Sequence, residues 1–143
     1  MGGGRWNPWR ALRARPHITL QYTLLRGDGG QWVLHDDGSV TIHLDPRLSQ
    51  RQRRCVLAHE LIHDERRIGY QTGTPQQLVD SEERYVWREA ARRLVPAGEL
   101  EDLVERSAPI GLEVWEVADH FDVDQRVARL ACRLATVRLR DVA

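Results

Sequence analysis

Residues 55–67 read CVLAHELIHDERR, and the HELIH at 59–63 decides how the rest of the chain is read. His59 and His63 are four residues apart, so on a helix both imidazoles leave the same face with Glu60 beside them. Val56, His59, Glu60 and His63 fall at i, i+3, i+4 and i+7, the stripe an amphipathic helix turns inward. Two imidazoles and a carboxylate on a buried face are costly unless a partner satisfies them. A metal ion suits this spacing. The plainer alternative is two buried histidines held by hydrogen bonds. Ser49 reads as an N-cap with Gln52 at the capping-box position, so the helix is predicted over 50–67, with Gly69 placed to end it.

Upstream of this helix the pattern changes to strands. HITLQYTLL (17–25) alternates and is rich in β-formers, and RGDGG (26–30) is turn chemistry. QWVLHDDGSVTIHLD then reads as a hairpin: a strand at 31–35, a turn at Asp36-Asp37-Gly38 and a strand at 39–44. Downstream, 69–79 reads as a loop. Helices are predicted at about 80–94, stopping before Pro96, at 98–106, at 111–121, and from Asp122 or Asp124 to 140. The last has Val127, Leu130, Ala131, Leu134 and Val137 as its core stripe. The segment 117–130 has a faint helix-turn-helix look, but the same apolar stripe favours core packing. The expected fold is α+β: a small, mainly antiparallel sheet of about three strands, then four to five helices, with the HExxH on the first long helix.

HELIH carries defined chemistry. Two histidines at i, i+4 hold one Zn²⁺, and the glutamate between them serves as general base. Zinc lowers the pKa of a water toward ~7, so peptide or amide hydrolysis runs at neutral pH. Glu60 then takes the water's proton and returns it to the leaving amine. Metal affinity falls in acid, because the imidazoles bind in their neutral form. A third protein ligand is needed, and Asp80, Glu82, Glu83 and His120 are the candidates. Trp87, Ala90, Ala91 and Leu94 lie on the face of Glu83, a mostly small apolar stripe suited to packing on the HELIH helix. Glu82 shares a more mixed face. Glu83 is therefore preferred, with Glu82 the runner-up third ligand. For a donor to the oxyanion, Tyr70, His43 and Tyr85 are open candidates.

Composition sets limits. The 143 residues suit one domain with a real core, at 41% hydrophobic and 29% charged. No apolar run approaches the ~20 residues of a membrane span, and the basic N-terminus lacks a secretory h-region. A cytoplasmic protein is expected. Residues 1–58 carry nine Arg against four Asp, whereas 80–124 carry thirteen acids against five Arg. The Arg-rich ends invite a DNA-binding reading, which the acidic middle argues against. The two cysteines lack CxxC spacing, so no zinc finger or disulfide framework is expected.

Three segments, LAHELIH (57–63), EERYVWREAARRLVP (82–96) and VADHFDVDQRVARLACRL (117–134), resemble the ImmA/IrrE family of metallo-endopeptidases in order and spacing. The resemblance covers about 38–134. It implies that His59 and His63 are zinc ligands, Glu60 the catalytic residue and Glu83 the third ligand. It also implies a protein substrate, often a helix-turn-helix repressor of a phage or mobile element. Ile62 stands where the family usually has Gly, and Val86, Trp87 and Glu89 also depart from its pattern. The expected organisation is a flexible N-terminal arm at 1–16, or a short helix around 8–15 within it, and a single zincin-like metallopeptidase domain at 17–143, the protease domain alone. The cofactor is one Zn²⁺ per chain. The alternative is a non-catalytic zinc-stabilised binding module, or a DNA-binding regulator, acting on such a repressor. No membrane partner is expected, and direct nucleic-acid binding is disfavoured.

Overall fold

The computed structural model describes residues 4–140. The fold is α+β, with a three-stranded sheet and, among the described residues, six helices. Helix α1 (Pro8–Arg13) comes first, capped by the Asn7 side chain, which accepts from the backbone N–H of Trp9 and Arg10. This corrects the expectation of a flexible arm over its middle part. Trp6, Trp9, Ala11 and Leu12 pack against the core, and that apolar contact orders the segment. Residues 1–3 of the expected arm, and 141–143 of the expected domain, lie outside the described residues.

The strands are β1 (Ile18–Tyr22), β2 (Gly30–Leu34) and β3 (Val40–Leu44), in the order β1-β3-β2. β2 and β3 form the expected antiparallel hairpin, with Gly30 opposite Leu44. Its turn has Gly38 at φ 87°, and the Asp37 carboxylate accepts from both the backbone N–H and the hydroxyl of Ser39. β1 pairs parallel with β3, so the sheet is mixed rather than mainly antiparallel. The loop at 23–29 passes the end of β3 and leaves room for it between the other two. β3 takes the centre because it is the most buried strand, with Val40, Ile42 and Leu44 at 1% exposure or less. Asp45 anchors the loop: its carboxylate accepts from Arg47's guanidinium and from the backbone N–H of Leu25 and Arg47. Those bonds, Arg47's first, hold its carboxyl well below the usual carboxylate range.

Helix α2 (Gln50–Arg66) starts at the predicted capping box of Ser49 and Gln52. It ends two residues earlier than the Gly69 signal indicates, on Arg67 in the left-handed region at φ 52°. Its middle departs from the one-sided stripe read from the sequence: every residue from Cys55 to Asp64 is buried. α2 is a central helix. Val56, Leu57 and Leu61 pack with the sheet, while Cys55, Ala58 and Ile62 pack with the helical layer. Covered on both sides, it carries apolar residues around its circumference.

The helical layer consists of α3 (Gln76–Leu94), α4 (Ala97–Ser107), α5 (Val114–Phe121) and α6 (Gln125–Leu134). α3 starts four residues earlier than predicted, which shortens the loop after α2. Ala90 and Ala91 are fully buried, and these small side chains let α3 approach α2 closely. Ile62, the departure from the family's usual Gly, lies in this same cluster. α5 and α6 bury Val117, Ala118, Phe121, Val127, Ala128 and Ala131 in the core, so the faint helix-turn-helix pattern is a packing pattern. Asp124 caps α6, accepting from the backbone N–H of Val127. The predicted extension to 140 stops at Leu134, where the chain turns through Thr136 at φ 56°. Among the described residues, no helix is long and apolar enough to cross a membrane.

Candidate metal centre

α2 is held by core on two sides, and its buried middle faces a cleft beside β2. There a cleft of about 600 Å³ is lined by β2, His59, Glu60, His63, the 68–70 loop and Glu83. His59, Glu60 and His63 are 4–6% exposed. Their donor atoms lie within 4.8 Å of one another.

The structure brings Glu83 to the histidines. One Glu83 oxygen lies 2.7 Å from His59 Nε2, and the other lies 3.0 Å from His63 Nε2. Glu60 Oε1 lies 3.0 Å from His59 Nδ1, so His59 bridges two carboxylates. Burial pulls the His59 pKa down, but the bonds to Glu60 and Glu83 outweigh it and raise it to about 9. Burial pushes Glu83 up, and its bonds to both imidazoles win, leaving it well below the usual carboxylate range. Glu82 faces elsewhere. It pairs with Arg66, which donates from both Nε and Nη2. Asp80 accepts from Gln76, and His120 packs edge-on against Phe121. Neither joins the cluster.

Of the three donor candidates, Tyr70 alone reaches the cluster: its hydroxyl donates to Glu83 at 2.9 Å. Burial, then the bond to that carboxylate, raises the phenol's pKa. His43 is paired with Thr23, and Tyr85 lies under the Arg66 guanidinium. Cys55 has no part in the site. Burial pushes its thiol up to about 12, and it packs as a core residue.

Three features escaped the sequence reading. Trp87, read as a packing residue, lies against His59 with ring centroids 4.2 Å apart. Asp64, next to His63, is buried and gathers Trp32 Nε1, His17 Nε2 and Arg15, tying the cleft's edge strand to α2. An acid directly after the second histidine of a buried helix was the available signal. Gly30 is the third. A Cβ there would meet Val56 Cγ1 at 2.4 Å and Glu60 Oε1 at 2.8 Å. Val56 is buried and stiff at χ1, so the Glu60 side chain would have to move. Gly30→Ala is therefore expected to destabilise the fold by about 1–3 kcal/mol, read as a lower midpoint in denaturant unfolding. An unchanged midpoint would mean that β2 shifts freely against α2.

A catalytic zinc takes three protein ligands from His and carboxylate donors, and the two Nε2 atoms facing one carboxylate are such a set. The residues fit the metal. The cluster thus sits on the central helix of an α+β domain, open to a cleft beside an edge strand. Residues 17–132 match the family described as Peptidase_M78, IrrE N-terminal-like domain, and the chain belongs to that family. No curated protein matches it.

Proposed function

We propose that the chain is a zinc-dependent endopeptidase of the cytoplasm that hydrolyses a peptide bond in a protein, a helix-turn-helix repressor of a phage or mobile element. The observation that carries this reading is the meeting of Glu83 with both Nε2 atoms, with Glu60 on the opposite side of the His59 ring. His59, His63 and Glu83 would hold one Zn²⁺. Zinc, when bound, supplies the Lewis acidity that makes a water reactive at neutral pH.

The chain's own residues do the rest. Glu60 takes the proton from the attacking water and delivers it to the leaving amine nitrogen. Trp87 packs on the His59 ring and holds its plane. Tyr70, raised in pKa and so protonated, would be the donor to the carbonyl oxygen once its hydroxyl turns from Glu83. β2 is at the edge of the sheet beside the cleft, so its free main-chain groups suit an extended polypeptide rather than a small ligand. The repressor as substrate rests on the family resemblance. The test is incubation with repressors encoded beside the gene, followed by mass spectrometry. A discrete fragment growing with time, blocked by a chelator and restored by zinc, is expected. Binding of the repressor without a fragment would favour the non-catalytic module instead.

A further inference from the structure

On the far side of Glu83 the cleft continues into a groove of about 650 Å³, and Asp28 and Glu83 line both. α3 sends Arg84 and Arg88 into the groove, and α6 sends Arg126 and Arg133. Within each pair the spacing, four and seven residues, keeps both side chains on one helix face. Trp87 and Leu130 add apolar surface. Among the described residues Arg84, Arg88 and Arg133 make no ion pair, while Arg126 meets only the exposed Asp28 at 3.4 Å. Arginines outside the groove, Arg10, Arg13 and Arg106 among them, also lack an ion pair among the described residues, so it is the gathering of four on one concavity, and not their lack of partners, that marks the groove. Helix faces that are merely solvated point their charges apart. Here two packed helices, α3 and α6, contribute four arginines to the lining of one concavity. The groove is also wired to the site. The Arg126 guanidinium sits 3.9 Å over the Trp87 ring, and Trp87 packs on His59.

We propose that this groove is a specificity subsite that takes the Asp or Glu side chains of the polypeptide substrate, next to the bond cut at His59, Glu60 and His63. The guanidinium fork matches a carboxylate in two-point contact, and Leu130 with the arginine stems offers apolar surface to the acidic residue's methylenes. A peptide fits better than a nucleic acid. A chain seated in the cleft enters the groove directly past Glu83, which lines both. The inference deepens the endopeptidase reading and rests on it for the position of the cut, but acidic-peptide binding is measurable without cleavage.

The experiment is fluorescence anisotropy on the full zinc-loaded chain, near physiological salt. The probes are labelled oligoglutamate, the matching oligoglutamine and a labelled single-stranded DNA of equal length. Oligoglutamate is expected to bind and oligoglutamine not to. The paired substitution Arg88→Glu with Arg133→Glu should weaken oligoglutamate binding about tenfold or more, two lost charge contacts at surface strength. Arg88→Lys with Arg133→Lys, which keeps the charge and the fold, should weaken it less. Digestion of a mixed peptide library by the wild type should enrich acids at a fixed distance from the cut, an enrichment the Glu pair loses. No difference between the two peptides, or DNA binding tighter than oligoglutamate and lost in the same variants, overturns the subsite. Cutting without acidic preference also overturns it while leaving the endopeptidase standing. Acidic binding with no cutting leaves the subsite standing and removes the endopeptidase.

Discussion

Replacing Glu83 by Ala is expected to take the purified protein from about one zinc per chain to nearly none, while Glu82→Ala keeps its metal. The two acids are neighbours in the interior of α3, so their chemistry and helical environment are the same. What separates them is direction. The Glu83 carboxylate spans both Nε2 atoms at 2.7 and 3.0 Å, and Glu82 is engaged by the Arg66 guanidinium. A three-ligand site that loses one ligand keeps two imidazoles, too few to hold zinc through dialysis. Glu82→Ala loses a largely buried carboxylate's ion pair with Arg66, which costs stability but removes no donor from the cluster. Metal content by mass spectrometry, with both variants refolded in zinc, separates these outcomes. Loss of zinc in Glu82→Ala with retention in Glu83→Ala would reverse the assignment. Loss in neither would mean that His59 and His63 recruit Glu60 or another donor.

Much of this site was legible because helical spacing is local. His59, Glu60 and His63 needed only the period of a helix, and the capping box at Ser49 and Gln52 placed its start. Glu83 over Glu82 came from asking which face of α3 is small and apolar, and Ala90 and Ala91 are indeed fully buried. What could not be read was relational. The parallel pairing of β1 with β3 depends on which strand takes the centre, and alternation within one strand does not encode that. The all-round burial of α2 follows from having layers on both sides, whereas a stripe argument assumes one. The end of α6 at Leu134, where the chain turns through Thr136 at φ 56°, comes at residues that give no glycine signal. Trp87 on His59, and the four arginines of the groove, come together only when α3, α6 and α2 pack.

Glu60→Gln is expected to leave zinc content and fold intact and to slow cleavage roughly 10²- to 10⁴-fold. Gln has nearly the shape of Glu, and its amide oxygen still accepts from His59 Nδ1, now 3.0 Å from Glu60 Oε1. The imidazole therefore keeps its orientation, and Glu60 is not needed among the three ligands. What the amide cannot do is take a proton from water and hand it to the leaving amine. No nearby group substitutes. Tyr70 is raised in pKa by burial and by Glu83, so at neutral pH it holds its proton and is no base. Glu83 is bound up with both imidazoles and is held well below the usual carboxylate range, which makes it a poor proton acceptor. Glu60, at 4% exposure on the cleft wall, lies against His59, whereas the other carboxylate of the cleft, Asp28, is exposed and turned to Arg126. Zinc content and the rate of fragment appearance, measured on the same preparation, separate the roles. Slow cleavage with full zinc assigns Glu60 as the base. Lost zinc would make it a ligand instead. Wild-type cleavage would move the proton transfer to another group and leave the carboxylate beside His59 as a purely orienting partner.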